Sequence, residues 1–232
     1  MKIIKNTKKL QKWFDLRLNK VVISKFDQIQ QGSQEWIKLR LGKITASNFN
    51  KIITRGGEYS KQSDDLAFKL ASEIYLNYVD EGYSNIHMQR GTTLEPEARA
   101  VYCQHKFENI EEEYENIEEV IFIDCDNYGY SPDGLIGEDG LLEIKCPTAL
   151  VHFGYILDDK IPDAYYQQCQ GGLMVSERQW IDFVSYHPDV DEDKRLFIKR
   201  CYRDEEYIEK LKINIDKTIE KRNEILLKLK KK

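Results

Sequence analysis

Hydrophobic positions along the chain change their period near its middle. Through residues 31–106 they recur every three or four residues, the mark of amphipathic helices. Gln31-Gly32-Ser33 opens a helix over 34–41, with Ser33 as its N-cap, and Gly42 ends it. Thr45 or Ala46 starts a second, short helix through Ile53, and Arg55-Gly56-Gly57 reads as a loop. Ser63 caps a segment to about Tyr78 whose Leu66, Leu70, Ile74 and Tyr78 share one face. A further helical pattern over 93–106 carries Leu94, Ala98, Val101 and Tyr102. A residue before proline disfavours the α region, so this helix is expected to start near Pro96 or bend there.

Alternation then takes over. Residues 119–126 (EVIFIDCD), 128–136 and 141–146 read as short strands, the last two joined by a hairpin turn at Gly137-Glu138-Asp139-Gly140. Residues 165–175 look helical, while 180–187 and 196–202 look like strands. Ile208, Leu211, Ile215, Ile219 and Leu226 make 204–230 a long amphipathic helix, expected to pack by its apolar face. The fold class is therefore α/β, a mixed sheet of about five strands flanked by helices. Nothing resembles a linker or repeat. Residues 1–232 are expected to form one domain: a basic lead-in over 1–30, a core over 31–187 and the C-terminal helix.

Composition narrows the function classes. The chain has 232 residues, 41% of them hydrophobic, which suffices for a sizeable core. No apolar run exceeds about five residues, against the roughly 20 of a membrane span, so no membrane association is expected. The opening stretch MKIIKNTKKLQKWF lacks the apolar core of a signal peptide. The five cysteines lie at least 21 positions apart, which excludes CxxC motifs and a four-cysteine iron–sulfur site. They suit reduced thiols in a cytoplasmic or host-cell interior. The four histidines show no ligand spacing. The net charge of −5 hides an asymmetry: residues 1–60 hold 13 Lys/Arg against 4 Asp/Glu, and residues 61–146 hold 6 against 20. A basic arm beside an acidic middle suits a protein that grips phosphates next to bound cations. The seven glutamates of 108–119 read as a solvated face.

The candidate chemistry lies in Ser131-Pro132-Asp133-Gly134 and Glu143-Ile144-Lys145. In an antiparallel hairpin Asp133 and Glu143 face each other across neighbouring strands, and alternation puts Lys145 on the face of Glu143. Two carboxylates this close repel unless a hard cation such as Mg²⁺ or Mn²⁺ lies between them. A lysine alongside can orient or deprotonate a water, which suits phosphodiester hydrolysis. A solvated hairpin with Lys145 paired to Glu143 would explain these three residues alone; the neighbouring motifs weigh against it. Glu95, in GTTLEPEAR, offers a further carboxylate, and Arg40 with the hydroxyls of LGKITAS suits a phosphate.

In order, QGSQEWIKLRLGKITAS, GTTLEPEAR, SPDGLIGEDGLLEIKCP and YYQQCQGGLMV resemble the successive motifs of the bacteriophage lambda exonuclease family, the YqaJ-type viral recombinases of the PD-(D/E)xK nuclease superfamily. The resemblance implies a restriction-endonuclease-like core. It implies that Asp133, Glu143 and the Ile144 carbonyl bind metal, that Glu95 contributes to a second ion, and that Lys145 positions or activates the attacking water. By the same resemblance Arg40, Ser47 and Ser131 hold the phosphate at the 5′ end. Gln168 matches a glutamine near the active site, although Gln167 and Gln170 stand equally available in sequence. The implied activity is Mg²⁺-dependent (Mn²⁺ substituting), two-ion, 5′-to-3′ digestion of linear double-stranded DNA, leaving a 3′ tail and releasing mononucleotides. Ring-shaped homotrimers and a single-strand annealing partner belong to the same implication. Two other functions compete: an endonuclease of the same superfamily, and a non-catalytic DNA-binding module that recruits a partner.

Overall fold

The computed structural model describes residues 21–24, 29, 32–79, 86–108 and 117–231. Most of the lead-in and most of the acidic 108–119 stretch fall outside the described residues. The described chain groups into two compact units, one holding residues 1–79, 120–131 and 209–232 and the other 80–119 and 132–208.

The first unit carries a four-stranded sheet in the order β1 (Val21–Ser24), β4 (Val120–Cys125), β5 (Tyr128–Tyr130), β2 (Ile44–Thr45), with β2 and β5 parallel. Helix α1 (Gln34–Arg40) begins as expected, with the Ser33 hydroxyl accepting from the Trp36 N–H at 3.2 Å. Gly42 follows at φ +66°, and a Cβ there would lie 2.2 Å from Ile74, so only glycine fits. A 3₁₀ turn occupies Ala46–Lys51, and α2 covers Ser63–Leu76. Ser63 does not cap α2: its hydroxyl donates instead to the carbonyls of Lys51 and Ile52.

The second unit carries the predicted five-stranded mixed sheet, in the order β3 (Ile117–Glu118), β6 (Gly134–Ile136), β7 (Gly140–Lys145), β8 (Trp180–Tyr186), β9 (Leu196–Tyr202). Strands β7 and β8 are parallel and the other pairs antiparallel. Every residue of β8 is buried, as befits a strand covered on both faces. Its Asp182 is satisfied by the Tyr102 hydroxyl at 2.8 Å and by Arg200 at 2.8 and 3.0 Å. Helix α3 (Ile86–Glu108) lays Ala98 and Tyr102 into a core with Ile136, Leu142, Ile144, Val184 and Tyr186. Two further helices, α4 (Ala149–Asp158) and α5 (Asp163–Ser176), fill the β7–β8 crossover. The last helix, α6 (Glu205–Lys231), buries Tyr207, Ile208, Leu211, Ile215 and Thr218.

Further differences from expectation concern three segments. The stretch 128–136 is not one strand: Tyr128–Tyr130 and Gly134–Ile136 belong to different sheets. The break falls at Ser131-Pro132-Asp133, where proline offers no N–H to a ladder. Helix α3 does not start near Pro96 but continues through it from Ile86, at the cost of one rung of its hydrogen-bond ladder. Helix α4 was not anticipated: ALVHFGYILD is a short, mostly apolar run, which periodicity alone does not separate from a strand.

Candidate active site

The β6–β7 hairpin brings the acidic pair together. Gly134 pairs with Leu142, Leu135 with Leu141 and Ile136 with Gly140, and this register extended by one residue sets Asp133 opposite Glu143. Asp133 also closes the edge itself. Its N–H donates to the Leu142 carbonyl at 3.1 Å, and its Oδ2 accepts from the Ile144 N–H at 2.6 Å. The carboxylate thus takes a place in the ladder that a further strand residue would have filled. Gly134 has to be glycine here: a Cβ would lie 2.5 Å from the Ile117 side chain.

Alternation along β7 buries Ile144 in the α3-facing core and leaves Glu143 and Lys145 on the opposite face. Glu143 is 1% exposed. Its Oε1 accepts from Lys145 Nζ and from Gln168 Nε2, each at 2.5 Å. Among the three glutamines on α5, Gln168 donates to this carboxylate. Gln170 is committed elsewhere, donating to the Tyr202 carbonyl and accepting from the Asp204 N–H.

The electrostatics follow from burial. Desolvation, then the charge of Glu143, pushes the Asp133 carboxyl well above its ordinary range; Lys145 opposes and Glu95 adds to the rise. Burial pulls Lys145 down, but the carboxylates of Glu143 and Asp133 outweigh it, so the amine stands above an ordinary lysine. Glu95 lies on α3, bonded to Arg99 of the next turn at 3.3 Å. The donor chemistry fits a hard divalent cation: two hard carboxylates lie together in a site that water screens poorly, and the charge of Glu143 raises the proton affinity of Asp133. Among the described residues, no group of three or more His, Cys, Asp or Glu is drawn together as a ligand set.

The phosphate-binding candidates all fall in the other unit. Arg40 ends α1 with its guanidinium 3.9 Å from the Trp36 ring centre. Ser47 is exposed, its hydroxyl 3.2 Å from that of Thr45. The Ser131 hydroxyl is buried and has no hydrogen-bond partner among the described residues.

Sequence reasoning missed Tyr165, whose ring centre lies 5.3 Å from Lys145 Nζ. Its signal was spacing, since Tyr165 precedes Gln168 by three positions on one helix. It also missed Arg99, four residues after Glu95 and thus on the same face.

Comparison with known proteins gives concordant matches. Residues 35–179 match the family described as the YqaJ-like viral recombinase domain. Among solved structures, LHK-Exo in complex with dAMP is 33% identical, with a TM-score of 0.76 over 86% of this chain and 97% of that one. The alkaline exonuclease LHK-Exo from Laribacter hongkongensis is 32% identical with the same coverage and TM-score of 0.76. A phage-related exonuclease from Haemophilus somnus 129PT, 16% identical, shares the fold at a TM-score of 0.65 over 81% of this chain and 96% of that one. No curated protein sequence gives a significant match.

Proposed function

The chain belongs to the YqaJ-like viral recombinase domain family and has a nuclease function, and from that premise we propose that it digests linear double-stranded DNA from 5′-phosphorylated ends, 5′ to 3′. The product is a 3′ single-stranded tail for recombination by strand annealing. One observation carries this reading: Asp133 and Glu143 face each other across the hairpin with Lys145 and Gln168 fixed on Glu143. The dAMP bound to LHK-Exo is a mononucleotide, the product expected of stepwise digestion.

In this reading Asp133, Glu143 and the Ile144 carbonyl hold one Mg²⁺, with Glu95 contributing to a second. Bound there, the ions supply Lewis-acid polarisation of the scissile phosphate. The protein's own groups do the positioning. Lys145 is an ammonium in this field, so it orients the attacking water and faces the negative charge that builds on the phosphate. Gln168 donates to the same Glu143 oxygen as Lys145 and helps hold that carboxylate in place. Arg40, Ser47 and Ser131 take the 5′-terminal phosphate. A homotrimeric ring around DNA and an annealing partner complete the reading. Among the described residues no helix is long and apolar enough to cross a membrane.

The test uses linear duplexes labelled at the 5′ or the 3′ end, and a covalently closed circle. We expect early release of the 5′ label, an untouched circle and no digestion in EDTA. We expect Lys145→Ala to lose digestion while keeping DNA binding, and Arg40→Ala to lose the preference for 5′-phosphate over 5′-hydroxyl ends. A cut circle would make the enzyme an endonuclease. Undiminished digestion by Lys145→Ala would remove the mechanism.

A further inference from the structure

We propose that Arg90 holds a backbone phosphate of the substrate strand beside the Asp133–Glu143 centre, and that His187 is the positioning residue that aims it. The proposal rests on the reading of the active site above, and it assigns a cation that reading leaves unused.

The placement comes from the fold. Arg90 and Glu97 lie seven residues apart on α3, two turns along one face. Both grip the C-terminal end of β8 at consecutive residues. The Tyr186 hydroxyl donates to Glu97 at 2.6 Å, and Arg90 Nη2 lies 2.7 Å from His187 Nε2. Strand β8 runs parallel to β7, with Ser185 opposite Lys145, so His187 stands at the edge where Lys145 and Cys146 leave the sheet. The Cys146 thiol feels Glu95, Asp133, Arg90 and Lys145 together, which puts Arg90 in the same electrostatic field as the acidic centre.

The choice of partner is the telling feature. Lys145 is paired with Glu143 and Arg99 with Glu95, so their charges are largely cancelled. Among the described residues Arg90 pairs with no carboxylate; its bond is to an imidazole. Guanidinium only donates, so Nε2 accepts from Arg90 and the neutral ring carries its proton on Nδ1, which makes the 3.3 Å approach of the Asp189 N–H to Nδ1 a contact rather than a hydrogen bond. Burial, and then Arg90 itself, hold the His187 pKa below its ordinary value, which keeps the ring in that form. A buried neutral acceptor fixes the direction of a cation without neutralising it. A carboxylate in the same place would have neutralised Arg90. The half-buried guanidinium keeps its charge for an anion from outside, and its planar fork fits a phosphate. A nuclease substrate brings one such group per nucleotide.

The experiment reads duplex binding in EDTA across a salt series, where no cleavage occurs, alongside steady-state kinetics with Mg²⁺. Arg90→Gln should weaken binding roughly ten-fold at low salt and flatten the log–log salt slope by about one phosphate contact, 0.7 to 0.9. The loss in kcat/KM should sit mainly in KM. Arg90→Lys should recover part of both affinity and slope. His187→Ala should reproduce a fraction of the Arg90→Gln loss, and His187→Gln, which keeps an acceptor, should restore it. With Arg90→Gln in place, His187→Ala should add little. An unchanged salt slope in Arg90→Gln, or full additivity of the two substitutions, overturns the proposal. Thermal melts of each variant separate misfolding from lost contact, and Arg90→Lys keeps the test open should Arg90→Gln not fold. The binding arm is independent of the Lys145→Ala result, so failure of the active-site reading and failure of this proposal give different outcomes.

Discussion

His187 is buried, bound by Arg90, and less willing to take a proton than a free imidazole; burial is the larger cause, with Arg90 second and Asp189 opposing. That carries a consequence for stability. The unfolded chain protonates this histidine near its ordinary value of about 6.5, whereas the folded chain resists until the pH is lower. Protons therefore favour the unfolded state as pH falls through that window, and the stability present above it is progressively lost. Unfolding midpoints in urea should decline from about pH 6.5 downward, and His187→Gln, with no group to titrate, should show a shallower decline over the same interval. Parallel profiles for the two proteins would show that His187 does not govern the acid limb. Residues of this kind were illegible in sequence. The carboxylates and lysine announced themselves by spacing on alternating strands, but nothing in HMQRG or SYHPD tells that Arg90 and His187, 97 positions apart, will meet.

At the scale of elements, the β6–β7 hairpin is the part the rest of the site depends on. A glycine at φ +52° opens its turn, and Arg178 clamps it from outside the hairpin. Arg178 is 3% exposed, and its Nη1 donates to the carbonyls of Ile136, Gly137 and Gly140 at 3.2, 2.9 and 2.7 Å. Burial lowers its pKa to about 10, opposed by the nearby charges of Glu118, Asp139 and Glu138; its guanidinium hydrogen bonds go to main-chain carbonyls. Removing it leaves carbonyls buried without a donor, a cost of roughly 1–3 kcal/mol. We expect Arg178→Met to lower stability by about that amount in chemical denaturation and to reduce kcat by loosening the register that sets Asp133 opposite Glu143. Arg178→Lys should recover some of the stability. Activity untouched by Arg178→Met would show that the hairpin holds its register unaided.

The elements themselves were mostly legible where periodicity was strong: α1, α5, β7, β8, β9 and α6 appear within a few residues of their expected bounds. Failures share a physical origin, the override of local pattern by partners distant in sequence. Helix α4 is a short, mostly apolar run and α3 has a proline inside. The 128–136 run divides because its two halves find different sheets.

Over the whole molecule, the two units are interleaved along the chain. The unit that begins before β1 is completed by residues 209–232, after the other unit has been threaded through. The C-terminal helix was expected to pack, and it does more than cover a surface. Arg222, 5% exposed, donates to the Gly42 carbonyl and to Asn127 Oδ1, each at 2.7 Å. It thereby joins the turn after α1, the β4–β5 turn and the chain's last helix. Lys221 forms an ion pair with Asp64 at the start of α2, although an exposed pair of this kind contributes little. Gly42 lies between Arg40 and Ser47, so the clamp fixes the loop on which the proposed 5′-phosphate pocket is built. Truncation after Ile208 should consequently unfold residues 44–53 and 120–130, far away in sequence, which hydrogen exchange would register as lost protection there. The single substitution Arg222→Ala should be milder, costing on the order of 2–3 kcal/mol because a buried carbonyl and amide lose their donor. It should also erode discrimination between 5′-phosphate and 5′-hydroxyl ends more than it slows the chemistry. Were the truncated chain to keep full protection in residues 44–53, the C-terminal helix would be an accessory to this unit rather than part of its core.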